Sequence, residues 1–138
     1  MYSAVLKRGL SNGFNISLEL AKAIIPVYIL IKVLDVSGIL PVIAQICTPL
    51  MNLMGLPGEA SLLLVLGNCL NIYSILGGIQ ALDLTIKQIN ILAIMVLISH
   101  SLFMENAVLK KTGTNALLLT CFRFVLSIVC GIVMNLVW

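Results

Sequence analysis

Long apolar runs, broken at a few polar or turn-forming points, dominate the chain. The first run covers residues 16–34 and carries Glu19, Lys22, Pro26 and Lys32 inside it. Glu19 and Lys22 stand three apart, so a helix would place them on one face where they can pair. Pro26 lacks the N–H that a helix interior needs and predicts a kink there. Asp35-Val36-Ser37-Gly38 interrupts the pattern. A second run, residues 39–54, contains Pro41 and Pro49 and reads more easily as an interfacial or broken helix than as a straight span. Gly55-Leu56-Pro57-Gly58-Glu59-Ala60-Ser61 is the strongest break in the chain. A helix is predicted after it over residues 60–73, with Asn68 and Asn71 one turn apart on one face, followed by Gly77-Gly78. Residues 59–82 therefore either cross once with a glycine kink or turn back as a re-entrant hairpin.

Residues 83–90 read as a polar connection containing Lys87. A fourth segment over residues 91–103 follows, with Ser99-His100-Ser101 near its end. A polar run, residues 105–114, holds Lys110 and Lys111. The last span covers residues 115–138 and has Arg123 inside it. The start, residues 1–15, reads as an amphipathic helix: Val5, Leu6 and Leu10 can face lipid while Lys7 and Arg8 reach phosphates. It has no apolar core of the signal-peptide kind.

Composition turns this pattern into a solvent assignment. Of 138 residues 61% are hydrophobic and only 9% are charged, where a soluble domain has about a quarter of its residues charged. Mean hydropathy is +1.17. The expectation is an all-α integral membrane protein with about four to five membrane segments, some broken or re-entrant. It is read as one membrane domain over residues 1–138. A span takes roughly 20 apolar residues, which leaves no room for a separate catalytic domain and favours a self-associating protein or half of a two-subunit assembly.

The net charge of +3 forms no basic stripe with interleaved aromatics, so no nucleic-acid partner is expected. Its use is topological: Lys7 with Arg8, and Lys110 with Lys111, belong on the cytoplasmic side. Five straight crossings satisfy this, and so does an interfacial second segment followed by a re-entrant hairpin. Both place the amino terminus inside and Asp35, Lys87 and Trp138 outside, in a multi-pass protein of the inner (cytoplasmic) membrane. The prolines and glycines favour the broken-helix version. Cys47, Cys69, Cys121 and Cys130 show no C-x-x-C spacing and read as packing residues; no metal or cofactor is expected.

Polar groups inside hydrocarbon are costly unless paired or facing water, so each is informative. Residues 55–61 open a helix whose free N–H groups and positive dipole end suit a solute at membrane depth. The alternative is a capped helix start at the surface, and spacing leaves both open. Asn68 and Asn71 offer donors and acceptors to a sugar hydroxyl or base edge, or else bond a neighbouring helix. His100, with Ser99, Ser101, Glu105 and Asn106, could handle solute or protons, or merely reach headgroups. Arg123 is expected to snorkel or to pair with Glu59 or Glu19. No enzyme is expected, because nothing in the sequence orients His100 and its serines for hydrolysis.

Residues 55–60, with the apolar helix and Gly77-Gly78 after them, resemble the Gate or nucleoside recognition domain. The likeness is to its small stand-alone membrane proteins of the spore maturation protein B type. It runs from about Arg8 to the end, by motif at residues 55–60 and by hydropathy and spacing elsewhere. The resemblance implies relatives among concentrative nucleoside transporters and ferrous iron transporter B. It also implies paired small subunits, and hairpins that bring carboxylates and amides to a solute. It carries over Glu59, Asn68 and Asn71 as substrate-binding residues, with His100 and Asn106 behind them. No P-loop is present, so the iron-transporter activity does not carry over whole. The functional expectation is an oligomeric subunit of a transporter or channel for a small polar solute, a nucleoside among the candidates. The alternative is a non-transporting membrane scaffold of the spore or envelope maturation type.

Overall fold

A computed structural model describes residues 2–109 and 115–138. Lys110 and Lys111, on which half of the orientation argument rests, lie outside the described residues. Every regular element among those described is a helix: α1 Tyr2–Val36, α2 Ile39–Leu53, α3 Ala60–Cys69, α4 Ile72–Ala81, α5 Ile86–Ser99, α6 Leu102–Leu109 and α7 Ala116–Val137.

Helix α1 runs through both Asn15 and Pro26 without ending, so the amphipathic start and the first apolar run form one 35-residue helix. It stops where Gly38 takes a left-handed conformation (φ 75°), and α2 leaves at 92° to α1. Pro49 stays inside α2.

Residues 59–82 do not cross as one kinked helix. They fold back as two ten-residue helices, α3 and α4. The antiparallel register is fixed at two glycines. A Cβ on Gly67 would enter the Ile75 side chain near the tip, and one on Gly78 would enter Leu63 near the base. Ten residues rise only about 15 Å, half the hydrocarbon thickness of a bilayer. Gly77 lets α4 rest on the backbone of α1, against the Ile24 carbonyl.

Helix α5 starts earlier than the hydropathy pattern implied. Thr85 and Gln88 form a capping box, Thr85 Oγ1 accepting from Gln88 N–H and Gln88 Oε1 accepting from Thr85 N–H, so residues 86–90 are helical rather than a connection. Helices α5 and α6 then lie antiparallel to α7. Lys87 meets Asn135, Met95 meets Ser127, Ile98 meets Arg123 and Asn106 meets Thr120. Helix α7, 22 residues and ~33 Å long, is the one described helix long and apolar enough by itself to cross a membrane; the bent α1–α2 pair qualifies as a second, broken one. The buried core, with Ile31, Leu40, Met54, Leu56, Leu63, Ile91, Leu92 and Met95 nearly sealed, joins the first five helices. Most large side chains on the outer faces of α1 and α7 are exposed and apolar, as lipid contact requires.

Candidate functional site: the two ends of a helical hairpin

The α3–α4 hairpin has a base at residues 55–59 and 82–83 and a tip at residues 70–71. At the base, Gly55 takes φ 67° and ends α2 as a Schellman cap: Gly55 N–H donates to Asn52 C=O and Leu56 N–H to Met51 C=O, both at 3.0 Å. Leu56 plugs the core at 1% exposure. A Cβ on Gly58 would sit on the Ala44 carbonyl of α2. A turn of i→i−3 bonds follows, in which Ala60, Ser61 and Leu62 N–H donate to Pro57, Gly58 and Glu59 C=O. The amides of Ala60, Ser61 and Leu62 are therefore engaged, and those of Gly58 and Glu59 are the open ones at this end of α3.

This base lies level with the end of α7, not its middle. Asn135, three residues before the terminal Trp138, packs on Gly55 and donates from Nδ2 to Leu53 C=O. Lys87 Nζ donates to the Asn135 carbonyl at 3.1 Å, a cation on the negative end of α7. Glu59 is half-buried, makes no capping bond, and lines a cleft of about 310 Å³ with Lys32, Asp35 and Asp83. Neither Glu59 nor Glu19 pairs with Arg123. Glu19 and Lys22 are both exposed and form no ion pair with each other, contrary to the pairing their spacing suggests.

The tip corrects the placement of the two asparagines. They do not share a helix face, because the helix ends between them. Leu70 leaves helical geometry, Asn71 is extended (φ −161°), and its Oδ1 accepts from Ser74 N–H at 3.0 Å and Ser74 Oγ–H at 3.1 Å. Asparagine competes well for this amino-terminal capping position, and that local bond wins over continuing the helix. Asn68 remains on α3, one turn before the tip.

Opposite the tip, α5 breaks at His100 and Ser101. Ser101 is left-handed (φ 51°), unusual for a residue with a Cβ. The break closes α3: Ser101 N–H donates to Gly67 C=O at 3.1 Å and Ser101 Oγ–H to Leu70 C=O at 3.3 Å. Those are carbonyls a helix end leaves without partners. Ser99 Oγ–H donates to Asn68 Oδ1 at 2.8 Å, and Ser127 Oγ–H donates to Met95 C=O at 2.9 Å, 3.3 Å from Ser99 Oγ. Ser127 is the twelfth residue of the 22 in α7, so this network sits at its mid-length.

One turn on, Arg123 of α7 serves the break. Its Nε donates to Ile98 C=O at 2.8 Å and its Nη1 pairs with Glu105 Oε2. His100 is half-buried, its Nδ1 without a hydrogen bond and 3.9 Å from Glu105 Oε1. Asn106 Oδ1 accepts from Thr120 Oγ–H at 2.6 Å, which ties α6 to α7. Of the sequence-derived candidates, then, Asn68, Asn71 and His100 gather about the tip and the break, Asn106 lies beyond the break, and Glu59 stands apart. From Glu59 to Asn68 is nine residues, about 13 Å along α3.

Beside Asn68 a cavity of about 190 Å³ opens between α2, α3, α5 and α7. Ser61, Asn68 and Ser127 are its polar lining; Met51, Met54, Met95 and Phe124 are among its apolar walls. The Ser61 hydroxyl is buried and without a partner. Ser61 belongs to the 55–61 motif read from sequence as a helix start, not as a side-chain ligand, and Ser127 is not marked there at all. The available signal was a small polar residue within an apolar run, which on its own marks helix packing.

The comparisons with known proteins bear on the whole chain. The family described as "Nucleoside recognition" (Gate) matches residues 17–137. The chain is 40% identical over 130 residues to the "Uncharacterized membrane protein YvoD" of Bacillus subtilis (strain 168), covering 94% of this chain and 42% of that protein. It thus spans less than half the length of this curated relative. No solved structure matches it.

Proposed function

Because the chain belongs to the Gate, nucleoside-recognition family of membrane proteins, we propose that it is a subunit of a transporter or channel for a small neutral polar solute, a nucleoside or its base being the leading class. The observation that carries this is the cavity along α3, from Ser61 beside the hairpin base to Asn68 near the tip. It presents the orphan Ser61 hydroxyl and the Asn68 amide inside otherwise apolar walls. A few placed polar groups in an apolar pocket orient a ligand without charging it. Its lining includes no Asp, Glu, Lys, Arg or His. That favours a neutral heterocycle over an ion, and a binding role over a catalytic one.

In this reading the α3–α4 hairpin is re-entrant. Its base and Asp83 lie at one membrane face, and its tip meets the α5–α6 break near the middle, the arrangement transporters use to place a site at mid-depth. With the amino terminus cytoplasmic, Glu59, Asp35 and Lys32 frame the outer mouth, and Glu59 acts at entry rather than in the binding pocket. Equilibrium binding of a nucleoside and nucleobase panel to the purified chain in lipid nanodiscs tests the assignment. Binding that is lost in Asn68→Leu is the expected result; no binding by any member of the panel, at any concentration short of non-specific partition, overturns it.

A second reading is favoured by a specific observation. Asn68, Asn71, Asn106 and Arg123 all bond within the chain, which is how polar groups lock a membrane scaffold together. Solute movement in proteoliposomes separates the two.

A further inference from the structure

One feature of α1 plays no part in the hairpin site. Arg8, Asn12, Asn15, Glu19 and Lys22 follow one another at steps of four, three, four and three residues, and all are exposed. That alternation is the seam spacing of two helices packed along their length. The stripe faces away from α4. Gly77 of α4 rests against the Ile24 carbonyl, and at 3.6 residues per turn Lys22, Glu19, Asn15 and Asn12 are rotated about 160°, 140°, 180° and 120° from Ile24. Nothing among the described residues pairs with Glu19 or Lys22.

The depth of these charges makes the exposure informative. Along α1 the outer flanking cations are Arg8 and Lys32, about 36 Å apart on a helix and so close to a bilayer's span. Their midpoint is residue 20, between Glu19 and Lys22. Neither side chain is long enough to reach a headgroup region from there. Charged and amide groups at that depth face protein or water, not lipid. The residues flanking and opposite the stripe on this half of α1, Leu6, Leu10, Phe14, Ile16 and Leu18, are exposed and apolar, suited to lipid.

The geometry points to a second copy of this chain seated along the stripe, α1 against α1 about a two-fold axis. The stripe is self-complementary: with one acid and one base a single turn apart, Glu19 of each copy reaches Lys22 of the other, and Asn12 and Asn15 can exchange amide hydrogen bonds. A two-fold interface needs this self-matching of one patch with itself. The inference rests on the reading of α1 as the long arm of the bent α1–α2 span, and supplies the partner that the oligomeric assembly proposed above requires.

The test uses the full chain in lipid nanodiscs, with Cys47, Cys69, Cys121 and Cys130 replaced by alanine. Asn15→Cys on the stripe should cross-link into a dimer under mild oxidation, and Leu10→Cys, on the opposite side of α1, should not. In vesicles, Glu19→Lys or Lys22→Glu alone should weaken dimerisation by about tenfold or more, and the double reversal should restore it. Cross-linking that is equal at the two positions, reversals without effect, or dimerisation only with a different co-expressed chain would each overturn the proposal. Solute binding measured on the same samples keeps the outcomes apart, since the Asn68 cavity lies within one copy. Binding without the cross-link removes the interface alone, and the cross-link without binding removes the solute reading alone.

Discussion

The base and the tip of the α3–α4 hairpin are built from different residue types, glycine, proline and carboxylates against amides and hydroxyls, and meet their polar groups in different ways. At the base, most of the local bonds are backbone to backbone, a Schellman cap and a turn of i→i−3 bonds with Gly58 against the Ala44 carbonyl, and Asn135 and Lys87 add side-chain bonds to Leu53 C=O and Asn135 C=O. Its charged side chains, Glu59, Asp83, Asp35 and Lys32, are left along an open cleft. At the tip, side chains complete what the backbone leaves open. Asn71 caps α4, Ser101 closes α3, and Arg123 takes up the Ile98 carbonyl at the α5 break. Water can solvate the groups at a base near the membrane face. It is scarce at half depth, where every unmet group costs several kcal/mol. The difference teaches that the conspicuous motif, residues 55–60, shapes the turn into α3, while the proposed solute pocket runs beside it from Ser61 to Asn68.

The largest effect expected is at the base. Gly58→Val drives a side chain into the Ala44 carbonyl and should cost on the order of 3 kcal/mol, read as loss of monodisperse protein and a lower midpoint in detergent unfolding. An unaltered midpoint would mean that the base is not packed as described. Next is the break: Arg123→Met strands Glu105 and the Ile98 carbonyl. Because the pair is partly exposed, about 1–3 kcal/mol is expected rather than the full penalty of a buried one, and Glu105→Gln should cost less than Arg123→Met.

At the tip, Asn68→Leu should lose about 1 kcal/mol of stability with the Ser99 hydrogen bond and should abolish solute binding. Asn71→Ala should lose a comparable ~1 kcal/mol through the cap while leaving binding measurable in the folded fraction. Smallest is Glu59→Gln, which should change stability by less than about 0.5 kcal/mol and affect solute entry rate more than equilibrium affinity. An affinity loss as large as that of Asn68→Leu would merge the base and the tip into one site and break the distinction drawn here.

Much of this was legible in the chain itself. Hydropathy located the apolar segments, and the glycines and proline of residues 55–58 marked the break between α2 and α3. The hairpin was one of two open alternatives, because a Gly77-Gly78 kink and a fold-back share a hydropathy profile. The turn that decides between them is made by Asn71, which carries a capping preference but also fits a helix face. Thr85-x-x-Gln88 is a capping box readable in sequence, overlooked because hydropathy alone placed the helix start at residue 91. The α5–α6 break was not legible: Ser99-His100-Ser101 contains neither glycine nor proline, and Ser101 holds its left-handed backbone through bonds to Gly67 and Leu70, some thirty residues away. The partner of Arg123 was missed for the same reason, since Glu105 approaches it only once α6 folds onto α7.

Depth is the quantity on which the account turns. Cys69 lies next to the tip and is exposed, so a spin label there, in a chain with Cys47, Cys121 and Cys130 replaced by alanine, reports its immersion directly through collisions with oxygen and with a water-soluble relaxant. Labels on Glu59→Cys and Asp83→Cys in the same background, with Cys69 also replaced, report the base. The account predicts that both base labels meet the water-soluble relaxant from one and the same membrane face while the Cys69 label sits near the bilayer centre. Labels at Glu59 and Asp83 on opposite faces, or a Cys69 label at either surface, would contradict it.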